Sequence, residues 1–139
     1  MAGKILLEVV TPDKLLLSQQ VDEVIAPGTE GEFGVLPGHC HFLSTLRVGE
    51  LRYKIGEVWS YMSVLWGFAE VTPTKVTILA EIAEKAEDID PERAQAAVEK
   101  AERRLEIGGL PSEVEEAKVS LEKARLRKKI AERGRRTHA

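Results

Sequence analysis

The 139 residues, 43% of them hydrophobic, suit a single domain, or a small domain with an appendage, that can bury a core. The only cysteine, Cys40, excludes an intrachain disulfide and makes a reducing compartment the default. No apolar run approaches the ~20 residues needed to span a bilayer, which argues against direct membrane insertion. The net charge of −3 hides an asymmetry, since residues 1–122 carry 12 basic and 22 acidic side chains and residues 123–139 carry 8 and 1. A basic end on an acidic protein points to an electrostatic partner, although late cations also suit the dipole of a helix C-terminus. The opening MAGKILLEVV lacks the cationic start and long apolar core of a signal peptide. The protein is therefore expected to be soluble, and cytoplasmic where it meets a membrane.

In chain order, residues 5–10 end in β-branched side chains and stop at Thr11-Pro12-Asp13. Residues 15–20 and 21–26 follow as strands, the second alternating with a two-residue period. From Val24 to Arg47 runs VIAPGTEGEFGVLPGHCHFLSTLR, with glycine at 28, 31, 34 and 38 and with Pro27 and Pro37 each directly before a glycine. Pro-Gly pairs mark tight turns, because proline presets φ and glycine accepts positive φ. Strands are then expected at 42–46, 49–55, 58–64, 65–71 and 75–80, with turns at Gly56-Glu57 and Thr72-Pro73-Thr74. Many short strands at near-regular spacing predict a sandwich or barrel. All seven aromatic residues lie between Phe33 and Phe68, so the expected large-area burial is placed in this part.

From Glu81 the texture changes to a polar link and then to helical spacing. Asp90 is a favoured N-cap and Pro91 suits the first helical position. Ala94, Ala97, Val98, Ala101 and Leu105 follow at three- and four-residue intervals, and Gly108-Gly109 ends the run. Ser112 with Glu115 three residues on reads as a capping box for a second helix, with Val114, Ala117, Leu121, Ala124 and Lys128 as its inner stripe. Helices of about 17 and 21 residues are expected to form an antiparallel hairpin. Its alanine seam contributes far less than leucine or valine would, which makes it marginal alone and a candidate switch. The fold class is α+β: a β-sandwich or flattened barrel over 1–86, then a helical hairpin over 87–139.

No Ser-His-Asp arrangement, phosphate-binding GxxxxGK[ST] or zinc-type cysteine pair is present, so no catalytic role is expected. In an extended segment His39 and His41 share a face while Cys40 points away, too few ligands for a closed zinc site.

PGTEGEFGVLPGH followed by FLSTLRVGELR resembles the signature of the epsilon subunit of bacterial F-type ATP synthases, and the helical tail fits too. The resemblance implies a non-catalytic central-stalk subunit that couples ion flow through the c ring to ATP synthesis and brakes ATP hydrolysis. Its implied partners are the gamma subunit, the c ring and the alpha and beta subunits of the catalytic head, at the cytoplasmic face of the bacterial membrane. Glu32 and His39 are carried over as c-ring contacts. After the histidine the family continues with a small residue and proline, where this chain has Cys40 and His41.

Ile89-Asp90-Pro91-Glu92-Arg93-Ala94 resembles the Ile/Leu-Asp-x-x-Arg-Ala motif with which some epsilon subunits bind ATP. That implies no required cofactor and a weak regulatory ATP site at Ile89, Asp90, Arg93, Ala94, Lys100, Lys123 and Arg127. Lysine stands at 100 and 123, where nucleotide-binding members carry arginine. A cap aspartate and a surface ion-pair arginine explain Asp90 and Arg93 without any ligand. In the basic run, Arg125, Lys128, Lys129 and Arg133 are the implied contacts to an acidic loop of the catalytic subunits. The alternative is a stand-alone β-domain binding module with a basic nucleic-acid-binding tail. Against it, the rest of the chain is acidic and no aromatic residue interleaves the run for base stacking.

Overall fold

The computed structural model describes residues 3–38 and 41–138, with side chains as far as residue 134. The chain divides into two compact units, Met1–Lys85 and Ala86–Ala139.

The first unit is one eight-stranded sheet folded over on itself. Strand β1 (Ile5–Val10) lies between β2 (Leu15–Val21), antiparallel, and β8 (Lys75–Lys85), parallel. Strands β3 (Glu23–Gly28) and β4 (Gly31–Val35) form a hairpin whose outermost pair is Gly28 with Gly31. Strands β5 (Phe42–Leu46) and β6 (Gly49–Ile55) pair in turn with β7 (Val58–Val71), and β3 closes on β6 through Glu23–Ile25.

Two boundaries differ from the expectation. The proposed break between Val64 and Leu65 is absent, because β7 runs unbroken for 14 residues. Strand β8 continues five residues past Ala80, pairing Ile82 with Leu65 and Lys85 with Met62. Its late charged residues do not end the strand, because the long β7 offers a ladder to continue on.

The core is aliphatic. Ile5, Leu7 and Val9 alternate into it from β1, Val76 and Ile78 from β8, and Val24, Val35, Leu51, Met62, Val64 and Val71 complete it. Here the aromatic expectation fails. Among the described residues Tyr53 is the only aromatic one in the buried core, Phe33 and Phe42 pack edge-to-face at its margin, and Phe68 is 49% exposed. Parity explains it, since Phe68 and Glu70 share the outward face of β7 while Ala69 and Val71 point inward.

The second unit opens with a 3₁₀ turn (Ala86–Asp88), followed by α1 (Pro91–Ile107) and α2 (Pro111–His138). Asp90 caps α1 as expected, accepting from the N–H groups of Glu92 at 3.0 Å and Arg93 at 3.4 Å. Gly108, at φ 75°, ends α1 and donates its N–H to the Arg104 carbonyl. Helix α2 begins before the expected Ser112 cap. Proline is at the first position, the Leu110 carbonyl accepts from Val114, and Glu113 reaches back to the Leu110 N–H at 3.4 Å. Glu113, three residues after Leu110, therefore does what Glu115 was expected to do. At 28 residues α2 also exceeds the expected 21, because the basic run is rich in alanine, lysine and arginine, all good helix formers. One buried cluster of the hairpin is Val98, Ala101, Leu121 and Ala124, flanked by Ala97 and Leu105, and Ala94, Ala117, Ile130 and Ala131 are buried as well.

Gly67 is where β7 bends: it adopts φ 149°, and any side chain there would run into the Leu79 carbonyl of β8. Gly67→Ala is expected to lower stability by about 3 kcal/mol or more in a thermal melt, from strain and overpacking together. A loss below about 1 kcal/mol would show that the bend relaxes freely.

Candidate functional site

Glu32 sits on β4 next to the hairpin turn and is not merely solvated. Its two carboxylate oxygens accept from Nη1 and Nη2 of Arg52 at 3.0 and 3.1 Å. Arg52 Nη1 also donates to Oε1 of Glu50 at 3.0 Å, and the Glu50 side chain is 5% exposed. Burial opposes the Arg52 charge, but the hydrogen bonds it donates to Glu32 and Glu50 and their negative charges outweigh it and raise its pKa above the ordinary value. The fork spans β3, whose Pro27 pairs with Glu32 and whose Ile25 pairs with Arg52. That register joins residues 20 apart and leaves no local signal, so the sequence could not reveal it.

The glycine-rich stretch is tied down at both ends. The Thr29 N–H donates to the Thr45 carbonyl at 3.0 Å, and their hydroxyls lie 2.6 Å apart. The Gly38 N–H donates to Pro73 at 2.9 Å. Glu32 thus stands near the start of β4, whereas the 36–38 connection leaves from its other end. His39 and Cys40 lie outside the described residues, and His41 is exposed.

An apolar surface also appears, and it includes Trp66 and Phe68, two of the aromatic residues expected in the core. Phe68 and Leu79 are cross-strand partners, 49% and 47% exposed. Leu43, Trp66 and Ile82 are exposed as well. Phe68 and Leu79 line a groove of about 330 Å³ with Val10, Pro12, Gly67 and Ala80. The signal was available as residue parity along β7 and β8.

On the hairpin, the residues expected at a nucleotide separate by exposure. Ile89 and Ala94 are buried, while Asp90, Arg93 and Lys100 are exposed. Lys123 and Arg127 are half-buried and engaged in interactions of their own. Helical phase puts Arg93, Lys100 and Arg104 on one flank of α1. The Arg104–Glu116 pair at 3.8 Å identifies the adjoining flank of α2, which by the same phase carries Lys123 and Arg127. An open groove of about 580 Å³ follows that flank, lined by Arg104, Ser112, Glu115, Glu116, Ser120 and Lys123. Of the residues expected to meet the catalytic subunits, Arg125 pairs with Glu102 at 3.6 Å on the opposite flank. Lys129 is exposed, Lys128 and Arg133 are half-buried, and Arg133 too is engaged.

A β-sandwich with an uncovered apolar patch, followed by a lightly packed hairpin, defines a docking subunit: both of its notable surfaces are suited to other chains. No described helix is long and apolar enough to cross a membrane. Residues 4–86 match the family described as ATP synthase, Delta/Epsilon chain, beta-sandwich domain, and residues 87–132 match its long alpha-helix domain. An ATP synthase epsilon chain of Syntrophobacter fumaroxidans is 54% identical over 133 residues, 96% of this chain and 99% of that one. One from Nitratidesulfovibrio vulgaris is 61% identical over 99 residues, 71% of this chain and 74% of that one. A cryo-EM structure of the Euglena gracilis mitochondrial ATP synthase, comprising OSCP, F1 and c-ring, contains a chain that superposes with a TM-score of 0.79. The two are 26% identical, over 90% of this chain and 79% of the other. The chain belongs to the ATP synthase delta/epsilon family, in its epsilon-chain branch, and is a non-catalytic subunit of that complex.

The cap predicts a graded effect on the hairpin. Asp90→Ala is expected to cost about 1 kcal/mol in a thermal melt, and Asp90→Ser only a few tenths, because serine still accepts from the helix-start N–H groups. Equal losses would mean that the carboxylate charge, and not the capping oxygen, is what the helix uses.

Proposed function

We propose that this chain is the central-stalk subunit in which the β-sandwich grips the gamma shaft and rests on the c ring, passing ion-driven rotation to the alpha and beta subunits. The observation that carries this reading is the exposed Phe68–Leu79 surface on an otherwise closed aliphatic sandwich. A lone subunit has no use for such a patch, and a partner surface covers it. The Euglena neighbour belongs to a complex with F1 and a c-ring, which supports the same placement. The turn region with Glu32, and His39 by family pattern, is the proposed c-ring seat. The complex would hold the chain at the cytoplasmic face of the membrane as a peripheral subunit. The nucleic-acid-binding alternative is not favoured, because the family match runs through both units.

The hairpin is proposed as the brake on hydrolysis, its basic run meeting an acidic loop of the catalytic subunits. It is further proposed to take ATP weakly, with no cofactor required. What favours this is the gathering of Arg93, Lys100, Lys123 and Arg127 on one flank, whose positive charges suit a phosphate anion. The lysines at 100 and 123 give point charges without a bidentate fork, which limits the affinity.

Three measurements test this. In the reconstituted complex, changing Arg125, Lys128, Lys129 and Arg133 to alanine should raise ATP hydrolysis, and rising salt should raise it in the parent, since such attractions are screened beyond ~8 Å at physiological ionic strength. Hydrolysis that ignores both would remove the brake. Glu32→Gln keeps one acceptor for Arg52 and should cost only about 1 kcal/mol in a melt, while lowering ATP-driven ion pumping per ATP. Unaltered pumping would take Glu32 out of the seat. Calorimetric titration with millimolar ATP should show weak heat that Arg93→Ala abolishes, and no heat in the parent protein would end the nucleotide reading.

A further inference from the structure

Helix α2 has 28 residues and α1 has 17. The cross-helix pairs Arg104–Glu116 and Glu102–Arg125 fix their antiparallel register, so α1 runs out at roughly residue 131 of α2. The last turns of α2 therefore project past the first turn of α1, beyond the Val98–Ala124 seam. Within this unit the projecting part meets the 3₁₀ turn at Ala86–Asp88.

Ile130 and Ala131 are buried at the start of this part, and Gly134 is where it meets the turn. A Cβ built on it would stand 2.5 Å from the Ala86 Cβ and 3.7 Å from the Ala86 Cα, and Ala86 is itself buried. A methyl group on the backbone of a tight turn cannot swing aside as the tip of a long side chain could. Ala86 is also held in place, because its carbonyl accepts from the Ile89 N–H at 3.2 Å, immediately before the Asp90 cap. Glycine is otherwise a poor residue inside a helix, where alanine is the best. Its presence here is explained by the close approach it permits.

We propose that Gly134 and Ala86 form a clasp holding the projecting turns of α2 against the start of the hairpin, and that this clasp sets how readily the basic run from Arg127 to Arg133 is released to a partner. The second half rests on the brake reading above; the first does not. The clasp predicts an effect opposite in sign to that of helix propensity. By propensity alone Gly134→Ala tightens α2. By the clasp it forces the helix end away from Ala86.

Amide hydrogen exchange on the full chain separates the two. In Gly134→Ala, residues 127–134 should exchange about tenfold faster while residues 111–121 are unchanged. Adding Ala86→Gly, which removes the opposing methyl, should restore slow exchange. Slower or unchanged exchange in Gly134→Ala would overturn the clasp, and so would a failure of Ala86→Gly to rescue it. In the reconstituted complex the same single variant should lower ATP hydrolysis by freeing the brake, and the double variant should recover it. If exchange responds and hydrolysis does not, the clasp stands and the brake reading falls; if hydrolysis responds without exchange, the clasp falls.

Discussion

The register that β7 keeps with β5 and then with β6 never shifts, and this forces neighbouring strands to bend at one level. Leu46 pairs with Gly67 and Gly49 with Val64, so Arg47-Val48 on one side lies opposite Leu65-Trp66 on the other. Strand β8 follows the same bend, pairing Ala80 with Gly67 and Ile82 with Leu65. One long ribbon can therefore contribute to both layers of the sandwich without a connecting loop. Trp66, at φ 49°, and Gly67 absorb the change of direction. Because the bend brings β7 and β8 close at Gly67, Phe68 and Leu79 are turned outward beside it. The surface proposed to carry the partner is thus a consequence of how the sheet closes.

The two units are built to different strengths. In the sandwich, fully buried isoleucine, leucine, valine and methionine side chains each contribute about 1.5–3 kcal/mol. In the hairpin the seam alternates alanine with single larger residues, and its cross-helix ion pairs are exposed ones worth little. The proposed coupling role needs a part that does not deform and the proposed brake one that can be displaced, and the division of apolar volume between the units suits both.

What the sequence showed and what it hid divide along local and nonlocal physics. The Asp90 cap, the Pro91 start, the Gly108 stop and the alanine seam are legible because each depends on residues within a turn or two. Most strand positions are legible for the same reason. The Arg52 fork on Glu32 was not, since it depends on strands meeting across β3. Nor was the unbroken β7, whose continuity depends on its partners and not on its own composition. The aromatic residues mislead because their size suggests burial, whereas parity along the strand decides it. Gly134 gave no sign at all, because its reason is Ala86, far off in sequence and adjacent in space.

The proposed brake sets a quantitative condition on the hairpin. Reversing a two-state element from 1:99 to 99:1 takes about 5.5 kcal/mol of differential interaction. Exposed ion pairs supply ~0.2–1 kcal/mol each, so even eight at ~0.5 kcal/mol reach only about 4 kcal/mol. The cations of residues 123–136 could therefore displace the hairpin only if they engage together and only if its resting preference is small. A seam of leucines would raise that preference beyond the reach of screened surface charge. A seam of alanines, closed at one end by a glycine contact, keeps it within range, and on the proposed reading salt, or a weak anion on the Arg93–Lys123 flank, would tip the balance.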